Sequence, residues 1–90
     1  MRLSPAEPNP SAGWSRIAFS LPQAKEVSLA VFDLSGRRIA ELAKGRYAAG
    51  DHAIEWDGRD SHGRRVASGA YLYRLNTGGV SAARKIVVMN

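Results

Sequence analysis

The stretch Trp56-Asp57-Gly58-Arg59-Asp60-Ser61-His62-Gly63-Arg64-Arg65-Val66-Ala67-Ser68-Gly69-Ala70-Tyr71 decides how this chain folds. Just before it, His52 to Trp56 reads as a strand with Ile54 and Trp56 on one face. Its middle is dense in Asp, Gly and Ser, which close turns through side-chain hydrogen bonds and backbone freedom. After it, Tyr71, Tyr73 and Leu75 alternate along a strand from Gly69 to Thr77. A polar turn set between large aromatics is what a β-sandwich corner requires. The residues expected to build that corner are Trp56, Asp57, Gly58, Asp60, Gly63, Gly69 and Tyr71.

Outward from the corner, short alternating segments recur between Gly, Pro and Asp turns, the pattern of an all-β sandwich of about seven strands. Ile17, Phe19 and Leu21 form a strand that stops at Pro22. Val27, Leu29 and Val31 form the next, and Asp33-Leu34-Ser35-Gly36 turns it back into a strand from Arg37 to Ala43. The run Ile39-Ala40-Glu41-Leu42-Ala43-Lys44 could also form a helical turn, but it is too short to stand as a helix and Gly45 ends it, so strand is the preferred reading. Tyr47-Ala48-Ala49-Gly50 is expected to form a loop. Gly78-Gly79 is a two-residue hairpin turn into a last strand from Val80 to Met89. Residues 1–13, with Pro5, Pro8 and Pro10, read as an extended leading segment or linker, and residues 14–90 as the sandwich domain. No internal repeat stands out. The expected core is Ile17, Phe19, Leu21, Val27, Leu29, Val31, Ile39, Ile54, Trp56, Tyr71, Tyr73, Leu75 and Ile86.

Composition narrows the function. Ninety residues hold one small domain, and the absence of cysteine excludes disulfides and thiolate metal sites. No apolar run reaches the ~20 residues of a spanning helix, and Met1-Arg2-Leu3-Ser4-Pro5 begins like an export signal without its apolar stretch. The net charge of +5 comes from basic residues in scattered pairs such as Arg37-Arg38, Arg64-Arg65 and Arg84-Lys85. No basic block or aromatic-interleaved stripe forms along the chain, so nucleic acid is not an expected partner. His52 and His62 read as two exposed histidines rather than metal ligands. Asp57 and Asp60 are the only calcium candidates, yet the segment lacks alternate oxygen ligands and a closing Glu, so turn bonds are the expected role. No Gly-x-Ser-x-Gly elbow, Ser-His-Asp order or phosphate-cradling loop occurs. The expectation is no enzyme activity, no cofactor and no metal.

The ordered set of motifs resembles a known family. Pro8-Asn9-Pro10, Ile17 to Pro22 and Val27-Ser28-Leu29-Ala30-Val31-Phe32-Asp33-Leu34-Ser35-Gly36-Arg37 look like its opening half. Trp56-Asp57-Gly58-Arg59-Asp60, Gly63, Val66, Ser68-Gly69-x-Tyr71 and Arg84-Lys85-Ile86-Val87-Val88 look like its closing half. The family is the Ig-like domain of the bacterial flagellar hook-capping protein, closely similar to the type A C-terminal sorting domain of proteins exported by the type IX secretion system. The resemblance implies a seven-stranded Ig/fibronectin-III-like antiparallel β-sandwich without an active site. In the sorting version the domain is read by outer-membrane export machinery and is removed or used for surface attachment. In the hook-capping protein it helps build an oligomeric cap. Sorting domains often finish on Lys or Arg, whereas this chain finishes Met89-Asn90.

The expected function is therefore a non-catalytic module for secretion sorting or surface anchoring, carried as a fragment of a larger exported protein that is secreted or displayed at the cell surface. Its expected partners are proteins, either secretion machinery or neighbouring domains. The expected contact is the final strand, at Arg84, Lys85, Ile86, Val87, Val88 and Met89, read by strand addition. The alternative is a structural or adhesive module that self-associates through edge strands. A third reading is an anion or carbohydrate binder that uses the arginines.

Overall fold

Period-two alternation sorts each segment into one face that needs cover and one that does not, and the computed structural model, which describes residues 1–89, pairs the needy faces. The strands are β1 (Arg2–Leu3), β2 (Ser15–Leu21), β3 (Lys25–Asp33), β4 (Arg38–Tyr47), β5 (Gly50–Trp56), β6 (Gly69–Thr77) and β7 (Val80–Val88). They form an antiparallel three-stranded sheet in the order β1-β2-β5 and an antiparallel four-stranded sheet in the order β4-β3-β6-β7. No helix occurs among the described residues, hence none long and apolar enough to cross a membrane. The outcome is the all-β sandwich the turn spacing predicts. Asn90, which closes the expected domain range, lies outside the described residues.

The core lies between the sheets. Ile17, Phe19 and Leu21 of β2 meet Val27, Leu29 and Val31 of β3 and Tyr71, Tyr73 and Leu75 of β6. Trp56 is 1% exposed and Ile86 is fully covered. Loss of the Trp56 side chain is worth about 3–5 kcal/mol by the usual cost of truncating a buried aromatic.

Four expectations need correction. The leading segment is built into the sandwich: Leu3 lies in β1, and Leu3, Ala6 and Ser11 are buried. Two long side chains hold it there, since Tyr73 Oη donates to Ser4 O at 2.7 Å and Arg84 Nε to Leu3 O at 2.6 Å. Second, Gly45 does not end its strand but pairs with Val27 inside β4, which runs on to Tyr47. Third, Ile39 and Ile54 are only partly buried and pack against the margin of the core. Register shifts at Leu29/Ala30 and Val31/Phe32 break the phase of β4, so Ala40 and Ala43 turn inward. Fourth, His52 is half-buried rather than exposed, with its ring 5.3 Å from that of Phe19 and 5.1 Å from that of Tyr47.

Two buried serines separate a paired hydroxyl from an unpaired one. Ser15 Oγ donates to Pro8 O at 2.7 Å, whereas Ser11 Oγ, equally buried, has no partner among the described residues. A buried polar group without a bond carries a desolvation cost that an apolar replacement avoids. In urea denaturation, Ser15→Ala is expected to lower stability by about 1 kcal/mol and Ser11→Ala to leave it unchanged or raise it. Equal losses from both would show that Ser11 is bonded in solution.

Candidate functional site

The corner is built from local bonds. Trp56 ends β5 with its ring buried and its Nε1 donating to Arg59 O at 3.0 Å, so its one polar atom is satisfied within the turn. The Tyr71 ring meets it edge-on, centroids 6.1 Å apart at 73°. Tyr71 Oη then donates to Ala67 O at 2.6 Å, four residues back along the chain. This ties the start of β6 to the turn before it, as tyrosine corners do in Ig-like sandwiches. Burial first, and the Asp33 charge second, push the Tyr71 hydroxyl above its ordinary pKa. Val66 covers the open side, buried, with its N–H on Gly58 O at 2.9 Å.

Within the corner, Asp60 closes a five-residue loop on itself. Its Oδ1 accepts from His62 N at 2.9 Å and Arg64 N at 3.0 Å, while Asp60 N donates to Arg64 O and Gly63 N to Asp60 O. The hairpin turn between β3 and β4 repeats this arrangement bond for bond. Asp33 Oδ1 accepts from Ser35 N and Arg37 N, Asp33 N donates to Arg37 O, and Gly36 N to Asp33 O. The glycines sit at φ +90° (Gly36) and +79° (Gly63), a conformation a β-carbon would strain. The shared sequence is Asp-x-x-Gly-Arg, a small repeat that a scan for longer periods passes over.

These bonds decide what the carboxylates can do. The Ser35 hydroxyl, then the Arg37 amide, hold Asp33 below its ordinary value near 3.8. The Arg64 amide does most to lower Asp60. An aspartate kept ionised in this way is a turn clamp and a poor proton donor at neutral pH. Asp57 Oδ1 accepts from Arg59 N at 3.1 Å, and its other oxygen lies 3.7 Å from Arg59 Nε. Among the described residues, no three His, Asp or Glu side chains converge on a point where a metal could sit.

The corner also covers a sheet edge. Ser61 N at 3.0 Å and Ser61 Oγ at 3.1 Å both donate to Ile39 O on β4, the edge strand of its sheet among the described residues. Beside this cap, a groove of about 720 Å³ runs between β4 and β5, with Trp14, half-exposed, on its rim and Glu41, Glu55 and Asp57 in its walls.

At the opposite edge, the candidate residues of β7 divide in two. Ile86 and Val88 point into the core, whereas Arg84, Lys85 and Met89 are exposed and Val87 is half-buried. The backbone divides as well. Val87 N donates to Asn9 Oδ1 at 3.0 Å, Ser11 N to Val87 O at 2.7 Å and Met89 N to Ser11 O at 2.8 Å. The end of β7 is thus already covered by the leading segment. Antiparallel pairs alternate in the direction of their bonds, so if Val87 points outward, then Lys85, Ala83 and Ser81 do too. Among the described residues, the backbone N–H groups of these three have no partner beyond β7.

The scattered cations also come together, contrary to the linear reading. Register places Arg38, Lys44 and Arg46 of β4, Arg74 of β6 and Lys85 of β7 on the outer face of the four-stranded sheet. Arg74 also stacks over the Phe32 ring at 5.3 Å. The signal was basic residues at outward-facing positions of three different strands, and only pairing aligns them.

Two antiparallel sheets with an aromatic corner and no crossover helix define an Ig-like β-sandwich. Residues 9–79 match the FlgD Ig-like domain, and the chain belongs to that family. No curated protein sequence matches it. Among solved structures it is similar to latent PorU from Porphyromonas gingivalis, with a TM-score of 0.72 and 22% identity over 93% of this chain. PorZ from the same organism, described as an essential surface component of the type IX secretion system, matches with a TM-score of 0.67 and 22% identity over 94%. FlgD from Xanthomonas campestris, described in terms of hook capping, matches with a TM-score of 0.66 and 26% identity over 94%. The chain spans 9%, 11% and 64% of those proteins, respectively.

A depressed carboxylate contributes stability that is present above its ordinary pKa and lost as pH falls through its folded value. Acidification from pH 6 to pH 3 is therefore expected to lower the thermal midpoint of the native protein. The Asp33→Asn/Asp60→Asn variant should start lower at pH 6 and fall less over the same range. Parallel pH profiles for the two proteins would show that the turn carboxylates carry no such linkage.

Proposed function

We propose that this domain is a non-catalytic module through which a larger exported bacterial protein is sorted for secretion or anchored at the cell surface. The observation that carries the proposal is the half-covered edge of β7. Its C-terminal part is bonded by Asn9 and Ser11, while Ser81, Ala83 and Lys85 turn unpaired backbone N–H groups outward beside two basic side chains, Arg84 and Lys85. An extended segment of a protein partner can add there, its main chain supplying affinity and its side chains register. The likeness to PorZ and to FlgD supports a role as one module of a multidomain secretion or flagellar component. Of the final-strand residues, Arg84 and Lys85 are the ones a partner meets, and the corner from Trp56 to Tyr71 serves to hold the sheets in register.

A second reading, a structural or adhesive module that joins copies of itself, is favoured by β5, whose only strand partner among the described residues is β2. Sedimentation across a concentration series separates the two, since only the second requires association of the isolated domain.

The test is a fusion of residues 1–90 to a periplasmic reporter in a host that has type IX secretion. The fusion is expected to reach the surface or medium, and Ala83→Pro to keep it in the periplasm. Proline at this position removes only an outward-facing N–H, which an edge strand tolerates, so the thermal midpoint should stay close to the native value. Retention of the native fusion would overturn the sorting role. Export of a folded Ala83→Pro fusion would overturn the part assigned to the β7 edge.

A further inference from the structure

The two outer faces of the sandwich differ in charge. On the three-stranded sheet, Arg16 stands opposite Glu55, Ala18 opposite Ala53 and Ser20 opposite Asp51, so charge is balanced around a depression of about 380 Å³ whose lining includes Arg2, Arg16 and Asp51. The four-stranded sheet instead carries the five cations placed above against two carboxylates, Glu26 and Glu41. Glu41 is already held by Arg38 at 2.8 Å. Lys44, Arg46, Arg74 and Lys85 have no ion-pair partner among the described residues.

At the end of this face nearest the β3–β4 turn lies a depression of about 180 Å³, walled by Phe32, Leu34, Leu72 and Arg74 together with that turn. Leu34 is 65% exposed at its rim. Asp33 is the one carboxylate in its wall, and its Oδ1 is committed to the turn. The depression offers apolar carbon to one side chain, and its surroundings offer unpaired positive charge. A bare polyanion would use the second property and leave the first unsatisfied.

We propose that the outer face of the four-stranded sheet is a docking surface for an acidic protein segment that carries an aromatic or aliphatic anchor residue. The anchor fills the depression between Phe32, Leu34 and Leu72. Carboxylates on the same segment meet Arg74 and Lys85 beside the depression and Lys44 and Arg46 further along the sheet, opposite Ser28 and Glu26. This face adjoins the β7 edge and shares Lys85 with it, whereas the depression, Lys44 and Arg46 belong to the face alone.

The probes are a fluorescent random copolymer of glutamate and tyrosine at a ratio of about four to one, polyglutamate of the same length, and heparin. Anisotropy titrations of the whole chain at moderate salt are expected to show the copolymer binding about tenfold or more tighter than polyglutamate, as burial of an aromatic anchor implies. Leu34→Ser should remove that advantage and leave polyglutamate binding as it was. Lys44→Glu/Arg46→Glu should weaken both peptide polymers at least tenfold. The control reversal Arg2→Glu/Arg16→Glu changes net charge equally on the other sheet and should weaken binding far less. All four substituted basic residues are exposed, and a circular dichroism melt identifies any variant that fails to fold. Equal losses from the two reversals, or no advantage of the copolymer, would overturn the proposal. Heparin binding as tightly as the copolymer would make the face a general polyanion surface and overturn it as well.

Discussion

A strand at the margin of a sheet turns half its backbone donors and acceptors away from its only partner, and each must bond to the chain, to water or to another molecule. A sandwich with sheets of three and four strands has four such margins, on β1, β5, β4 and β7. How these are treated explains features of this protein that otherwise look unrelated. Ser61, delivered by the corner, caps Ile39 on β4. Asn9 and Ser11, delivered by the leading segment, cover the end of β7. The remaining stretch of β7 is left open between exposed cations.

The turn clamps make this possible. Asp60 fixes the loop that brings Ser61 to β4, and the same five-residue device at Asp33 joins β3 to β4. Neither turn is buried enough to be held by packing, so hydrogen bonds to an ionised carboxylate supply the rigidity. Trp56 and Tyr71 anchor the loop from below, each with its polar atom bonded to a turn carbonyl. The chemistry that first resembles a ligand loop is spent on backbone geometry. What it positions is an edge.

Legibility followed the range of the interactions. The corner, β6 and the Gly78-Gly79 turn could be read because their determinants lie within a few residues of one another. The strand at Arg2–Leu3 could not, since two residues carry no period and its hold comes from Tyr73 and Arg84 far along the chain. Ile39 was misplaced because bulges in the β3–β4 pairing are set by register rather than by the local pattern. The final strand could be read from the Gly78-Gly79 turn before it, yet the leading segment bonded to its backbone had no signature in the strand itself. The basic face was invisible for a similar reason: its cations come from β4, β6 and β7, and only the pairing brings them side by side.

Amide hydrogen exchange along β7 tests the central claim most directly, because it reads each edge donor separately. The account predicts slow exchange at Val87 and Met89, whose N–H groups bond to Asn9 and Ser11, and fast exchange at Ser81, Ala83 and Lys85. Leu72 and Arg74 on β6, whose backbone groups face β3, would report the state of the sheet in the same experiment. Protection at Ala83 equal to that at Val87, or equally rapid exchange at both, would contradict an edge that is covered at one end and open at the other.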